Sequence, residues 1–206
     1  ERRTGSLSCM SALPRLRARR IIRPASNQLA RARRVFDSDG VIAYPTESCF
    51  GLGCDPLSPR AIRRVCALKR RSRAKGLILI AADLRQLDPF VEPAALADLS
   101  RFQPFWPGPY TFLLPASRKV HPWLRGRHRQ IAVRITNHPL AAGLCQALGS
   151  ALVSTSANLS GKVSLKTAAQ CRQAFGARIM VVPGLIGFAR KPSTIIDAAS
   201  GKILRG

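Results

Sequence analysis

The residues best equipped for chemistry gather where short apolar runs end. Thr46 and Glu47 follow the run at 41–45, Lys75 precedes the run at 77–81, Arg134 interrupts IAVRI at 131–135, and the hydroxyl-rich STSAN lies at 154–158 after ALV. A guanidinium suits a carboxylate or phosphate, because its donors form a rigid fork. Set in an apolar strand, Arg134 either faces an anionic partner, since a lone buried charge is costly, or lies on an edge strand and reaches solvent. STSANLSG offers neutral donors and acceptors that could ring a polar ligand, or it is an ordinary serine-rich turn. KRRSRAK at 69–75 holds five cations in seven residues. That cluster is either a solvated helix end favoured by the macrodipole or a clamp for a triphosphate.

Several chemistries lack their residues. GxxxxGK[ST] and GxSxG do not occur, and Gly51-Leu-Gly53 lacks the third glycine of a dinucleotide loop. No closely spaced carboxylates suggest a glycosidase. The six cysteines form no CxxC pair, and His121, His128 and His138 lie apart from most of them, so no permanently bound metal is expected. Phosphate binding would have to come from side chains. Free cysteines in apolar segments fit a reducing, cytoplasmic setting.

The elements that would carry these residues alternate. A helix capped by Asn27 runs to Asp37, followed by a strand at 41–44. Ser58-Pro59 opens a second helix with Ile62, Val65 and Cys66 on one face. A strand at 77–81 and an amphipathic helix over 93–105 precede the WPGP break and strands at 110–114 and 131–135. A helix at 138–148 lies between Asn137 and Gly149. A short strand at 151–153 ends where the hydroxyls begin, Thr167 opens a capping box, and strands at 179–182 and 194–196 complete the pattern. Alternating strands and helices with some short links predict one α/β domain with a mixed sheet. No apolar run approaches the roughly 20 residues of a membrane helix.

The chain carries 34 Lys and Arg against 10 Asp and Glu, a net charge of +24. Such a surface attracts polyanions, nucleic acid first, although an arginine-rich coding bias would leave the same mark. Residues 1–24 hold seven arginines and one acid. They are read as a basic extension or arm, possible alternatives being a targeting peptide or a segment ahead of a start at Met10, with the folded domain over 25–206.

Seven segments then fall in one order: YPTESCFGLGCD, the K-x-R of Lys69 to Arg71, KGLILIAA, WPGPYT, AVRITNHP, VSTSANLSG and PSTIID. In this the chain resembles the YrdC/TsaC family of threonylcarbamoyl-AMP synthases, in its short bacterial form. The resemblance implies a single-domain twisted mixed sheet with flanking helices around a large basic cavity. It implies a reaction of L-threonine, bicarbonate and ATP, with Mg2+ accompanying the ATP, that yields threonylcarbamoyl-adenylate and pyrophosphate. Partner proteins of a transfer complex would then pass the group to tRNA. By motif, Thr46, Arg134, Ser154 and Ser193 line the threonine site, with Arg134 on the carboxylate. Lys69, Arg71 and Lys75 engage the ATP phosphates, and Ser156, Asn158, Ser164 and Arg205 complete the nucleotide site. Lys69, Arg71 and Arg134 are the expected catalytic groups. Glu47 either pairs with a member of the cationic clamp or fixes the turn. Lys69→Ala or Arg134→Ala is expected to remove activity and leave the fold intact.

Two departures stand out. The usual K-x-R-P reads Arg71-Ser72 here, which suggests a more mobile clamp loop, and Ile80 stands where longer relatives often carry histidine. The competing reading is a double-stranded RNA or tRNA-binding module without adenylate synthesis, which explains the basicity but not the two hydroxyl segments. A carbamoyl-adenylate step in hydrogenase maturation would require a longer chain and zinc-finger cysteines.

Overall fold

Strand alternation sorts the apolar side chains into two layers, one on each face of a single sheet. In the computed structural model, which describes residues 26–206, neighbours along β1, β3 and β6 belong to different cores. Ala43, Leu79, Ala81, Val133 and Val153 join one core; Ile42, Tyr44, Ile80 and Leu152 join the other. That is the period-two consequence of the pleat.

The elements are α1 (Ser26–Asp37), β1 (Ile42–Pro45), β2 (Phe50–Gly53), α2 (Pro59–Lys69), β3 (Ile78–Ala81), α3 (Pro93–Leu96), β4 (Tyr110–Pro115), α4 (Pro122–Arg125), β5 (Gln130–Ile135), α5 (Pro139–Leu148), β6 (Leu152–Ser156), α6 (Ala168–Phe175), β7 (Met180–Val181), β8 (Thr194–Asp197) and β9 (Ile203–Arg205). The strands form one sheet in the order β7-β1-β2-β6-β3-β5-β4-β8-β9. Parallel pairs (β1/β7, β3/β5, β4/β8) are mixed with antiparallel ones, as the short links predict. Helices α2 and α6 pack on one face, and α1 and α5 on the other. The arm read over 1–24 lies outside the described residues.

Helix ends follow their capping chemistry. Ser58 accepts from the Ala61 amide with proline behind it, and Thr167 and Gln170 close the capping box. His138, expected inside α5, is instead its cap, and Gly149 ends that helix in the left-handed conformation. Asn27 lies inside α1 rather than capping it.

Three expectations are corrected. The helix over 93–105 is a four-residue α3 followed by a 3-10 segment at Leu99–Phe105 containing Pro104. Proline has no amide to donate back along a helix, and Phe102, Phe105 and Trp106 turn instead onto Phe112. Strand β6 does not stop at Val153; it continues through Ser154, Thr155 and Ser156, so the hydroxyls stand on a central strand. The expected pattern has no element over FGLG, which is strand β2, paired with both β1 and β6.

Candidate active site

Arg134 lies on β5 between β3 and β4, in the middle of the sheet, and is 7% exposed. The edge-strand reading is therefore excluded. Its counter-ion is Glu47, in the turn between β1 and β2: Arg134 NH2 approaches Glu47 Oε2 at 3.0 Å. The other carboxylate oxygen accepts from Thr136 Oγ1 at 2.8 Å and from the Asn137 amide at 3.1 Å. Burial alone would raise the Glu47 carboxyl; the Arg134 charge and these hydrogen bonds outweigh it and hold it below its ordinary value. Glu47 thus pairs with Arg134 on β5 rather than with a member of the 69–75 clamp, and its bonds to Thr136 and Asn137 tie the turn to the end of β5. Arg134 Nε is buried without a hydrogen-bond partner among the described residues.

The wall beside Arg134 is built on β1, β2 and β6. Thr46 is buried, and its hydroxyl donates to the Cys49 carbonyl at 2.7 Å, closing the turn. Tyr44 lays its ring over β2 and donates to the Val153 carbonyl at 3.2 Å. Burial raises its phenol far above the ordinary value, against a hydrogen bond with Ser154. A side chain at Gly53 would meet Tyr44 Cε1 and the Val153 carbonyl oxygen, each at 2.6 Å. This close approach is why β2 carries a glycine there. On the far wall Ser193 Oγ lies 2.8 Å from Thr111 Oγ1 and accepts from Arg205 NH2 at 3.2 Å.

The cationic loop enters from the end of α2. Arg70 takes the left-handed conformation and turns the chain. Ser72 caps the following 3-10 turn in place of the usual proline. Arg71 NH2 donates to the Lys75 and Gly76 carbonyls at 3.2 and 2.8 Å, while its Nε is buried without a hydrogen-bond partner among the described residues. The loop is docked on α4 by backbone bonds from Leu77 to Leu124 and from Arg127 to Ala74. Partial burial, and then the Arg134 and Arg71 charges, lower the Arg205 guanidinium. Burial likewise lowers Arg71. Three guanidinium groups therefore crowd one space.

That space is a chamber of about 180 Å3 whose lining includes Thr46, Gly51, Arg71, Arg134, Ser154, Ser156, Ser164, Ser193 and Arg205. A second chamber of about 260 Å3 adjoins it, sharing Arg71, Leu77, Ile78 and Arg205, and adding Lys75, His128 and Gln130. Among the described residues, no Asp or Glu lines either chamber.

Two expected members stand apart. Lys69 is 2% exposed and lines neither chamber. Its ammonium donates to the Ser156 carbonyl, to the Asn158 carbonyl at 2.8 Å and to Asn158 Oδ1 at 3.1 Å. All three of its protons are thus used in holding the loop after β6. Burial, and then the Arg71 charge, push this amine down to about 8. Asn158 likewise lines neither chamber, accepting from Ser156 Oγ at 2.6 Å and donating to the Leu159 and Lys162 carbonyls. Tyr44, Thr111 and Thr136 are the members that residue reading missed; all three stand inside quoted segments, YPTESCFGLGCD, WPGPYT and AVRITNHP, but a hydroxyl in or beside a strand carries no sign of which face it will take.

A family model named for Sua5, YciO and YrdC and described as "Telomere recombination" matches residues 34–206. A threonylcarbamoyl-AMP synthase of Chromobacterium violaceum is 58% identical over 193 residues, 94% of this chain and 96% of that protein. One of Thiobacillus denitrificans is 57% identical over 166 residues, 81% and 88% of the two chains. Among solved structures, P. abyssi Sua5 complexed with L-threonine superposes with a TM-score of 0.79 at 28% identity. The match covers 88% of this chain and 54% of the Sua5 chain, so this chain spans about half of that protein.

Proposed function

The chain belongs to the Sua5/YciO/YrdC family, and on that premise we propose that it is a threonylcarbamoyl-AMP synthase, joining L-threonine, bicarbonate and ATP with release of pyrophosphate. The observation that carries this reading is the pair of buried, unpartnered guanidinium N–H groups, on Arg71 and Arg134, two residues that line one chamber with hydroxyl side chains. A buried donor requires an acceptor, and a guanidinium suits a carboxylate or phosphate.

Arg134 takes the threonine carboxylate, its orientation fixed by Glu47, Thr136 and Asn137. Thr46, Ser154 and Ser193 surround the rest of the amino acid. The amine and bicarbonate form a carbamate with loss of water. A carbamate oxygen attacks the α-phosphorus, and the bond to the bridging oxygen breaks as pyrophosphate leaves. Arg71, Arg205 and Lys75 meet the phosphate charge, with Ser156 and Ser164 beside the nucleotide. Such a displacement depends on positioning and charge stabilisation. Lys69 and Asn158 act through the loop they hold. Mg2+ would enter with ATP and supply charge neutralisation at the phosphates; among the described residues neither chamber is lined by a carboxylate.

The product is then passed on by a transfer complex to tRNA, in the cytoplasm. Among the described residues no helix is long and apolar enough to cross a membrane. A second reading, an RNA-binding module, draws on an open groove of about 570 Å3 outside the loop, where Arg73 stacks 4.2 Å over Trp123. It leaves the hydroxyl-lined chamber without a task. Pyrophosphate release from ATP, with L-threonine and bicarbonate omitted in turn, tests the assignment. Release that requires both supports the synthase; none, with salt-sensitive RNA binding, supports the module.

A further inference from the structure

The two glycines of β2 are glycines for different reasons. A side chain at Gly53 would collide with Tyr44 and with backbone at 2.6 Å, so packing accounts for it. Gly51 is not so constrained. It is paired in an ordinary antiparallel ladder, opposite Tyr44 on β1 and Ser156 on β6, and its backbone is not in the left-handed region that favours glycine. A methyl placed on it would stand 3.3 Å from Thr46 Cγ2, 3.4 Å from Ser154 Oγ and 3.4 Å from Tyr44 Cζ. The contacts are tight, yet each is to a side-chain atom. Gly51 itself lines the smaller chamber with Thr46, Ser154 and Arg134. A side chain at Gly51 would take up part of that chamber, at its border with Thr46, Ser154 and Tyr44.

We propose that Gly51 is a specificity-determining residue: the space above it receives the β-branched side chain of the amino acid whose carboxylate rests on Arg134. The Thr46 methyl and the Tyr44 ring give that space apolar walls for a methyl group, and Ser154 Oγ lies where a β-hydroxyl can hydrogen-bond. Serine would present the hydroxyl and leave the methyl space empty. This inference rests on the synthase reading and refines how its substrate is chosen.

The test measures pyrophosphate release from the full chain with L-threonine and with L-serine, alongside thermal melting with ATP and with each amino acid. In Gly51→Ala the kcat/KM for L-threonine is expected to fall about 10- to 200-fold, the range for one methylene in a pocket. The fall for L-serine should be smaller, with the KM for ATP and the ATP-induced melting shift unchanged. Thr46→Ser keeps the hydroxyl bond to Cys49 and removes the methyl bordering the same space. It is expected to lower the threonine-over-serine ratio about tenfold, and it supplies an answer should Gly51→Ala not fold. An unchanged ratio in the folded variants, or an equal loss for both amino acids and ATP, would overturn the assignment of Gly51 alone. A wild-type protein that releases no pyrophosphate on addition of L-threonine would overturn the synthase reading and this inference with it.

Discussion

The arginines at the two ends of the chamber are held by different means. Arg134, on a central strand, has a carboxylate built into the fold: Glu47 reaches it from the β1–β2 turn and is itself fixed by Thr136 and Asn137. Arg71 and Arg205 sit on a loop and an edge strand, and among the described residues neither meets a carboxylate; carbonyls and a serine hydroxyl hold them. The first end is a receptor of fixed shape, with charge balanced before any ligand arrives. The second is a concentration of positive charge that the fold leaves for an anion to neutralise. An amino acid needs shape, and a triphosphate needs charge, so the contrast matches the two substrates.

Breaking the first end should cost the most stability. Arg134→Ala leaves the Glu47 carboxylate buried without its partner, and unfolding in urea should show a loss of about 3–5 kcal/mol. That revises the expectation that this substitution spares the fold. Lys69→Ala similarly strands the Ser156 and Asn158 carbonyls, so its loss of activity would not by itself identify a phosphate ligand. Arg71→Met should behave differently: pyrophosphate release falls about 10²–10³-fold, while the melting temperature changes little, because the lost bonds to the Lys75 and Gly76 carbonyls are offset by removal of a buried unpartnered donor and a neighbouring like charge. A melting temperature that falls with activity would break the comparison between the two ends.

A smaller effect is expected next to the fixed end. Gly53→Ala drives a methyl into Tyr44 and the Val153 carbonyl and should destabilise by about 1–3 kcal/mol in urea unfolding. The smallest effect is on pH dependence. The native Glu47 carboxyl titrates below its ordinary value of 4.5, so between those values the unfolded state binds the extra proton and stability rises with pH. The contribution of Glu47 is fully present above 4.5 and is lost as pH falls through the native value. Urea midpoints measured on the acid side should therefore depend less steeply on pH in Glu47→Gln than in the wild type.

Much of this was legible in the residues. Ser58-Pro59, Thr167 with Gln170, and Gly149 announced helix ends, because capping is settled within a few residues. IAVRI marked Arg134 as a charge needing an explanation, and the ordered motifs carried the family, the fold class and the reaction. The β2 strand was not legible, since Gly51 and Gly53 remove the side chains by which a strand is recognised; Tyr44, from the neighbouring strand, covers that place. The helix over 93–105 misled for a related reason: its apolar spacing is real, but it serves an aromatic cluster around Phe112 rather than a regular helix.

By itself the sequence determined the local and chemical facts: where helices begin and end, which strands are buried, and which donors and cations the site can draw upon. Tertiary structure alone decided which of these meet. Glu47 and Arg134 are 87 residues apart along the chain, and only the order of strands in the sheet selects Glu47 from the ten acids as the partner. Lys69 and Arg71 are two residues apart and read as one clamp, yet the left-handed turn at Arg70 points one inward, under the loop after β6, and leaves the other at the chamber. Capping and alternation are short-range consequences of backbone geometry, whereas pairing of charge and the shape of a cavity depend on contacts between distant segments, which no local pattern encodes.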